Sequence, residues 1–96
     1  MNLLTHPSHP SDVLSELYLL PFGMKAPTLA KQLRVPRMQI ERLVKGETAL
    51  TADTAMRLAV FFQTTPEYWM NLQRAWDLAR ARETVNVSGI EPLRAA

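Results

Sequence analysis

Residues 26–46 read Ala26-Pro27-Thr28-Leu29-Ala30-Lys31-Gln32-Leu33-Arg34-Val35-Pro36-Arg37-Met38-Gln39-Ile40-Glu41-Arg42-Leu43-Val44-Lys45-Gly46. Two short amphipathic runs meet here at a brief turn. Proline suits a first helical turn, where its missing N–H has no partner to lose, so Pro27 opens one helix and Pro36 the next. Glycine takes the left-handed conformation that commonly ends a helix, so Gly46 closes the second run. The pattern predicts helices over 27–33 and 36–45, with Arg34-Val35 turning the chain between them. That turn is too short for the two helices to lie antiparallel. Leu29, Ala30 and Leu33 form the inner face of the first, and Ala30 is small enough for the helices to cross closely. Val35 plugs the turn, and Ile40 and Leu43 anchor the second helix on the core. Its outer face is then left with Arg37, Met38, Gln39, Glu41, Arg42 and Lys45.

The charge follows the same segment. Residues 25–47 hold six cations and two carboxylates, a balance of +4, whereas residues 1–24 carry −2 and the rest of the chain is neutral. A basic segment between acidic and neutral flanks is the electrostatic footprint of a protein that meets a polyanion. A helix with this outer face fits a DNA major groove. Arginine bonds both guanine acceptors at once, at about 1–3 kcal/mol of discrimination per pair, so Arg37 and Arg42 are candidates for base contacts. Met38 offers an apolar contact, such as to a thymine methyl. Lys25, Lys45, Gln39 and the start of the first helix at Ala26 and Pro27 are candidates for phosphate contacts.

Outward from this segment the chain continues as helices. Val13, Leu14, Leu17 and Leu20 form a helical stripe over 11–20, which Pro21-Phe22-Gly23 ends. Thr51 caps a helix with the inner stripe Ala55, Leu58, Ala59 and Phe62, and Asp53 favours its dipole. Thr65-Pro66-Glu67 starts a fifth helix that reaches about Glu83, striped by Trp69, Leu72, Trp76 and Ala79. The expected organisation is a flexible arm over 1–10, an all-α five-helix domain over 11–84 and a tail over 85–96. The fifth helix has more apolar residues than one small domain can bury. Tyr68, Met70, Ala75 and Leu78 are therefore the predicted dimer interface.

With 96 residues, 47% of them hydrophobic, the chain has one domain's worth of core. It has no cysteine, which suits a reducing cytosol. No apolar run is long enough to span a membrane, and the N-terminal residues do not read as a secretory signal. His6 and His9 are three apart, each followed by proline, and no clustered ligands support them as a metal site. His9 reads as a cap or packing residue. Trp69 and Trp76 read as core or dimer seam rather than as base-stacking platforms. Asp53, Glu67, Asp77 and Glu83 read as caps and surface charge, not as an acid–base pair. No catalytic residue, metal or cofactor is expected.

The chain resembles the Xre/Cro-type helix-turn-helix family and, more narrowly, the HigA-type antidote proteins. The resemblance rests on His9-Pro10-Ser11-Asp12, Leu29-Ala30, and Ile40 with Leu43-Val44 and Gly46. It continues through Thr51-Ala52-Asp53-Thr54-Ala55-Met56-Arg57-Leu58-Ala59, Phe61-Phe62, and Thr65-Pro66-Glu67-Tyr68-Trp69-Met70-Asn71-Leu72-Gln73. It implies a lambda-repressor-like bundle and a cytoplasmic homodimer that binds double-stranded DNA at a palindromic operator. It also implies repression of its own operon and neutralisation of a RelE-like, mRNA-cleaving toxin. Family position places base contacts at Arg37, Met38 and Arg42. Two other readings are a stand-alone Xre-type regulator and a protein–protein adaptor on the same scaffold. Arg34 and Gln63 stand where the family usually has glycine. A left-handed arginine in the turn would be strained by about 1 kcal/mol or more. Ala26 replaces the polar residue that normally opens the second helix.

Overall fold

The structure, a computed structural model, describes residues 8–94. The expected arm falls mostly outside that range, as does His6. The described residues form five helices and no strand. Helix α1 spans Pro10–Val13 and runs on as a π-helical turn over Leu14–Leu19; α2 is Ala26–Leu33, α3 Arg37–Val44, α4 Ala52–Phe62 and α5 Pro66–Thr84.

Three of the N-termini are held by side chains that the sequence marks. The His9 imidazole accepts from the Ser11 N–H at 3.0 Å, Thr51 Oγ1 from Thr54 N–H at 3.3 Å, and Thr65 Oγ1 from Tyr68 N–H at 3.1 Å. Each satisfies a donor that the first helical turn leaves without a partner. Pro36 sits one place earlier than expected, as the residue before α3, with φ −59° and ψ 141°. The residue ahead of α2 is Lys25, which supplies no side-chain cap.

The first helix departs from its expected stripe. Leu20 N–H reaches back five residues to the Ser15 carbonyl at 2.8 Å, which is the π pattern. The wider turn brings residues five apart onto one face. Leu14 and Leu19 are therefore buried, while Leu17 and Leu20 are 61% and 77% exposed. An α-helical period cannot reveal this.

The core gathers Leu14, Leu29, Ala30, Leu33, Ile40, Leu43, Leu50, Ala55, Leu58, Ala59 and Trp69, with α2 packed on α3 and α4 on α5. Trp69 is 0% exposed, and its indole N–H donates to Thr64 Oγ1 at 2.8 Å, so burial leaves no polar atom unpaired. Tyr18, Phe62 and Tyr68 surround it, with ring centroids 5.0, 6.3 and 5.1 Å away. His9 does both expected jobs, because its ring also packs edge-on against Trp76 at 4.9 Å.

Arg34 and Gln63 are left-handed, with φ of 60° and 56°. At Arg34 a bond offsets part of that strain. Arg57 Nη1 donates to the Leu33 carbonyl at 2.8 Å, and Asp53 holds Arg57 Nε at 2.7 Å. The side chain on α4 thus occupies a carbonyl that the end of α2 would leave open.

Candidate nucleic-acid interface

Ile40 and Leu43 are buried, at 0% and 3% exposure. They turn the opposite face of α3 to solvent, and Arg37, Met38, Gln39, Arg42 and Lys45 are all exposed there. Glu41 is half-buried and pairs with Arg37, Nε to Oε1 at 3.2 Å. An exposed pair one helical turn apart contributes only about 0.3–0.5 kcal/mol. A bidentate guanine contact is worth about 1–3 kcal/mol, so the ion pair is too weak to bar Arg37 from one. The Arg42 guanidinium has no hydrogen-bond or ion-pair partner among the described residues.

Met38, Gln39, Arg42 and Leu43 form one wall of an open cleft of about 320 Å3. Thr48, Ala49, Thr51 and Thr54 form the other. The structure thereby joins three of the candidate contact residues to a segment in which the sequence reading named only Thr51, as a helix cap. Thr48 and Thr51 put hydroxyl groups beside α3. Their signal was two threonines within five residues of Gly46. Gln39 Nε2 donates to Thr54 Oγ1 at 3.2 Å, which ties α3 to α4 across the cleft.

The loop is anchored by Gln73, a second residue that the sequence reading missed. Gln73 is 6% exposed, accepts from the buried Leu50 N–H at 2.8 Å and donates to Asp77 Oδ1 at 2.9 Å. Its signal was a polar residue four places after Trp69, on the apolar stripe of α5.

Lys25 stands at the entrance to α2 and Lys45 at the exit of α3, both exposed. The first turn of α2 leaves the N–H groups of Ala26 and Thr28 without intrahelical acceptors. Pro27 between them has no N–H, so any anion contact there falls to its neighbours.

On α5, Tyr68, Ala75 and Leu78 lie along one stripe. Met70, two residues and about 200° from Tyr68, faces another way. Ala75 and Leu78 are exposed, whereas Tyr68 and Met70 are half-buried against the core. Burial pushes the Tyr68 phenol up to about 12, with the Tyr18 side chain adding to the shift. Among the described residues no helix is long and apolar enough to cross a membrane.

Two short helices crossing at a tight turn, the second with its charged face open, make a helix-turn-helix module. A helix-turn-helix family model matches residues 17–69. Virulence-associated protein I of Dichelobacter nodosus is 39% identical over 82 residues, covering 82% of this chain and 76% of that protein. An addiction-module antidote protein of the HigA family from Coxiella burnetii superposes with a TM-score of 0.82 at 38% identity, covering 92% of this chain and 99% of its own. A Pseudomonas aeruginosa protein, solved in complex with its 18-bp operator DNA, superposes with a TM-score of 0.86 at 33% identity, covering 93% and 99%. The chain belongs to the helix-turn-helix family and, within its Xre-type branch, to the HigA-type group.

Proposed function

We propose that the protein is a DNA-binding antitoxin that, as a homodimer, represses its own operon from a palindromic operator. The observation that carries this reading is the open outer face of α3, where the Arg42 guanidinium has no partner among the described residues and Met38 and Gln39 line an accessible cleft. Arg37, Met38 and Arg42 reach base edges in the major groove. Lys25, Lys45, the free N–H groups at the start of α2 and the hydroxyl of Thr48 hold the phosphates. Tyr68, Ala75 and Leu78 meet their counterparts in a second copy, placing two α3 helices about 34 Å apart on one face of the duplex. Met70, the fourth residue expected at this interface, faces away from that stripe and is left out of the proposed contact. The toxin half of the reading is supported by the antidote relatives; that the toxin is a RelE-like mRNA-cleaving enzyme in the cytoplasm rests on the family resemblance.

The test is a gel shift with the protein's own upstream DNA and an unrelated duplex at 50 and 200 mM salt. Two lysines on each of two copies neutralise four phosphates, which weakens binding about 150-fold between those concentrations. Arg42→Ala weakens operator binding about 5- to 150-fold per half-site and leaves the unrelated duplex within a few fold. Equal affinity for both duplexes, or no shift, refutes DNA recognition by α3. Co-purification with the product of an adjacent toxin-sized reading frame tests the toxin half separately.

A further inference from the structure

We infer that Gln39 is a base-reading residue held ready by Thr54, and that it selects adenine at one position of each half-site. The inference rests on the DNA-binding reading above and departs from the sequence-based expectation that Gln39 holds a phosphate.

A phosphate offers only acceptors, so a glutamine that grips one must present its amide N–H groups outward. Here one of the two N–H groups is committed inward, so a phosphate could take only the other and would face the bare Oε1 acceptor. Nε2 donates to Thr54 Oγ1 at 3.2 Å, and Thr54 is itself buried on α4. Thr54 cannot swing to follow the amide. Its N–H is bonded to Thr51 Oγ1 at 3.3 Å, and the two hydroxyl oxygens lie 3.2 Å apart. The cap of α4 therefore serves as a fixed bracket for a side chain of α3. Oε1 of Gln39 takes no hydrogen bond from any described residue, and the side chain lines the open cleft.

The amide thus presents one free acceptor and the second hydrogen of Nε2. Adenine matches both at once in the major groove, with its N6–H donor and N7 acceptor side by side. Cytosine offers only the N4–H donor there, and guanine and thymine offer no donor on that edge. Arg42 lies three residues on, on the same helical face, so the base that Gln39 reads neighbours the one that Arg42 reads. Thr54 is a positioning residue: it touches no base, and it removes the rotational freedom that Gln39 would otherwise lose on binding.

The experiment selects binding sites from randomised duplexes with the full chain, then measures affinity and salt dependence for single-base variants of the selected site. The wild type prefers adenine at one position per half-site by about 5- to 100-fold. Gln39→Ala abolishes that preference and leaves the slope of log affinity against log salt unchanged. Thr54→Val reduces the preference at the same position alone, and Thr54→Ser, which keeps the hydroxyl, restores it. Melting temperatures show that each variant is folded. The inference is overturned if Gln39→Ala weakens all sequences alike and leaves the adenine preference in place, the signature of a lost phosphate contact. It is also overturned if Thr54→Val keeps the full adenine preference. Failure of the wild type to select any sequence refutes DNA recognition itself, a different outcome from selection without adenine at that position.

Discussion

Replacing Gln73 by methionine isolates the bond that holds the loop between α3 and α4. Methionine keeps the length and nearly the volume of glutamine, so no large cavity opens. It removes the acceptor for the Leu50 N–H, a 2.8 Å bond, and both Leu50 and Gln73 are buried. A buried donor left without a partner costs about 1–3 kcal/mol. The second bond of Gln73, to Asp77 at 2.9 Å, ends on an exposed carboxylate that water can serve instead. Its loss adds a few tenths of a kcal/mol at most. The total is about 2 kcal/mol. For a domain of this size each kcal/mol moves the melting temperature by about 4–8 °C, so Gln73→Met melts about 8–16 °C below the wild type. Thermal unfolding followed by far-UV circular dichroism measures this directly. Asp77→Ala is the control, because it breaks only the exposed bond and shifts the midpoint by no more than about 3 °C. A Gln73→Met midpoint within 2 °C of wild type would refute the reasoning, since the Leu50 N–H must then reach water and the loop cannot be anchored as described.

Two further outcomes follow from local features. Arg34→Gly relieves about 1–2 kcal/mol of left-handed strain and costs about 0.4–1 kcal/mol in added freedom of the unfolded chain. It therefore raises the midpoint by a few degrees in chemical or thermal unfolding, and a fall would show that the Arg34 side chain makes a contact that outweighs the strain. Tyr68, whose phenol is pushed up to about 12 by burial, favours its neutral form in the folded state. The stabilisation is complete below the ordinary tyrosine value near 10 and is lost as the pH rises through about 12. Stability measured from pH 8 to 12 falls on this limb, and Tyr68→Phe flattens it; an unchanged alkaline slope in that variant would assign the effect to another group.

The helix-turn-helix segment was legible because each of its signals has a single local cause. Pro27 and Gly46 mark where backbone hydrogen bonding starts and stops, and Leu29, Leu33, Ile40 and Leu43 recur at the helical period. Exposure of the α3 arginines followed once the two apolar anchors were placed. The first helix shows where that logic ends. A π-helical turn changes the period without changing composition, so Leu17 and Leu20 fell on the wrong face and Leu19 was overlooked. Spacing on α5 likewise named apolar residues without resolving their direction, and Met70 turned away from the stripe shared by Tyr68, Ala75 and Leu78. Arg57 and Gln73 were invisible for another reason. Their partners lie 24 and 23 residues away, at Leu33 and Leu50, and no local pattern records a bond that only the tertiary fold brings together.

Those long-range bonds bear directly on what α3 can do. Ile40 and Leu43 fix the depth at which the helix sits, but apolar contact is non-directional and constrains its roll about its own axis weakly. A roll of about 20° moves a side chain at a radius of about 5–6 Å by about 2 Å. Hydrogen bonds to a base edge tolerate about 0.5 Å, so depth alone does not give readout. Three polar braces supply the missing constraint. Arg57 holds the end of α2 at the turn through the Leu33 carbonyl, Thr54 holds the middle of α3 through Gln39, and Gln73 holds the exit loop through Leu50. Two of the braces spring from α4, one helical turn apart, and the third from α5. The left-handed Arg34 fits this arrangement. A turn without glycine is strained, and a strained turn keeps its shape only where its neighbours hold it, as the Arg57 guanidinium does here. The pose of α3 is thus set by bonds from α4 and α5, the two helices behind it.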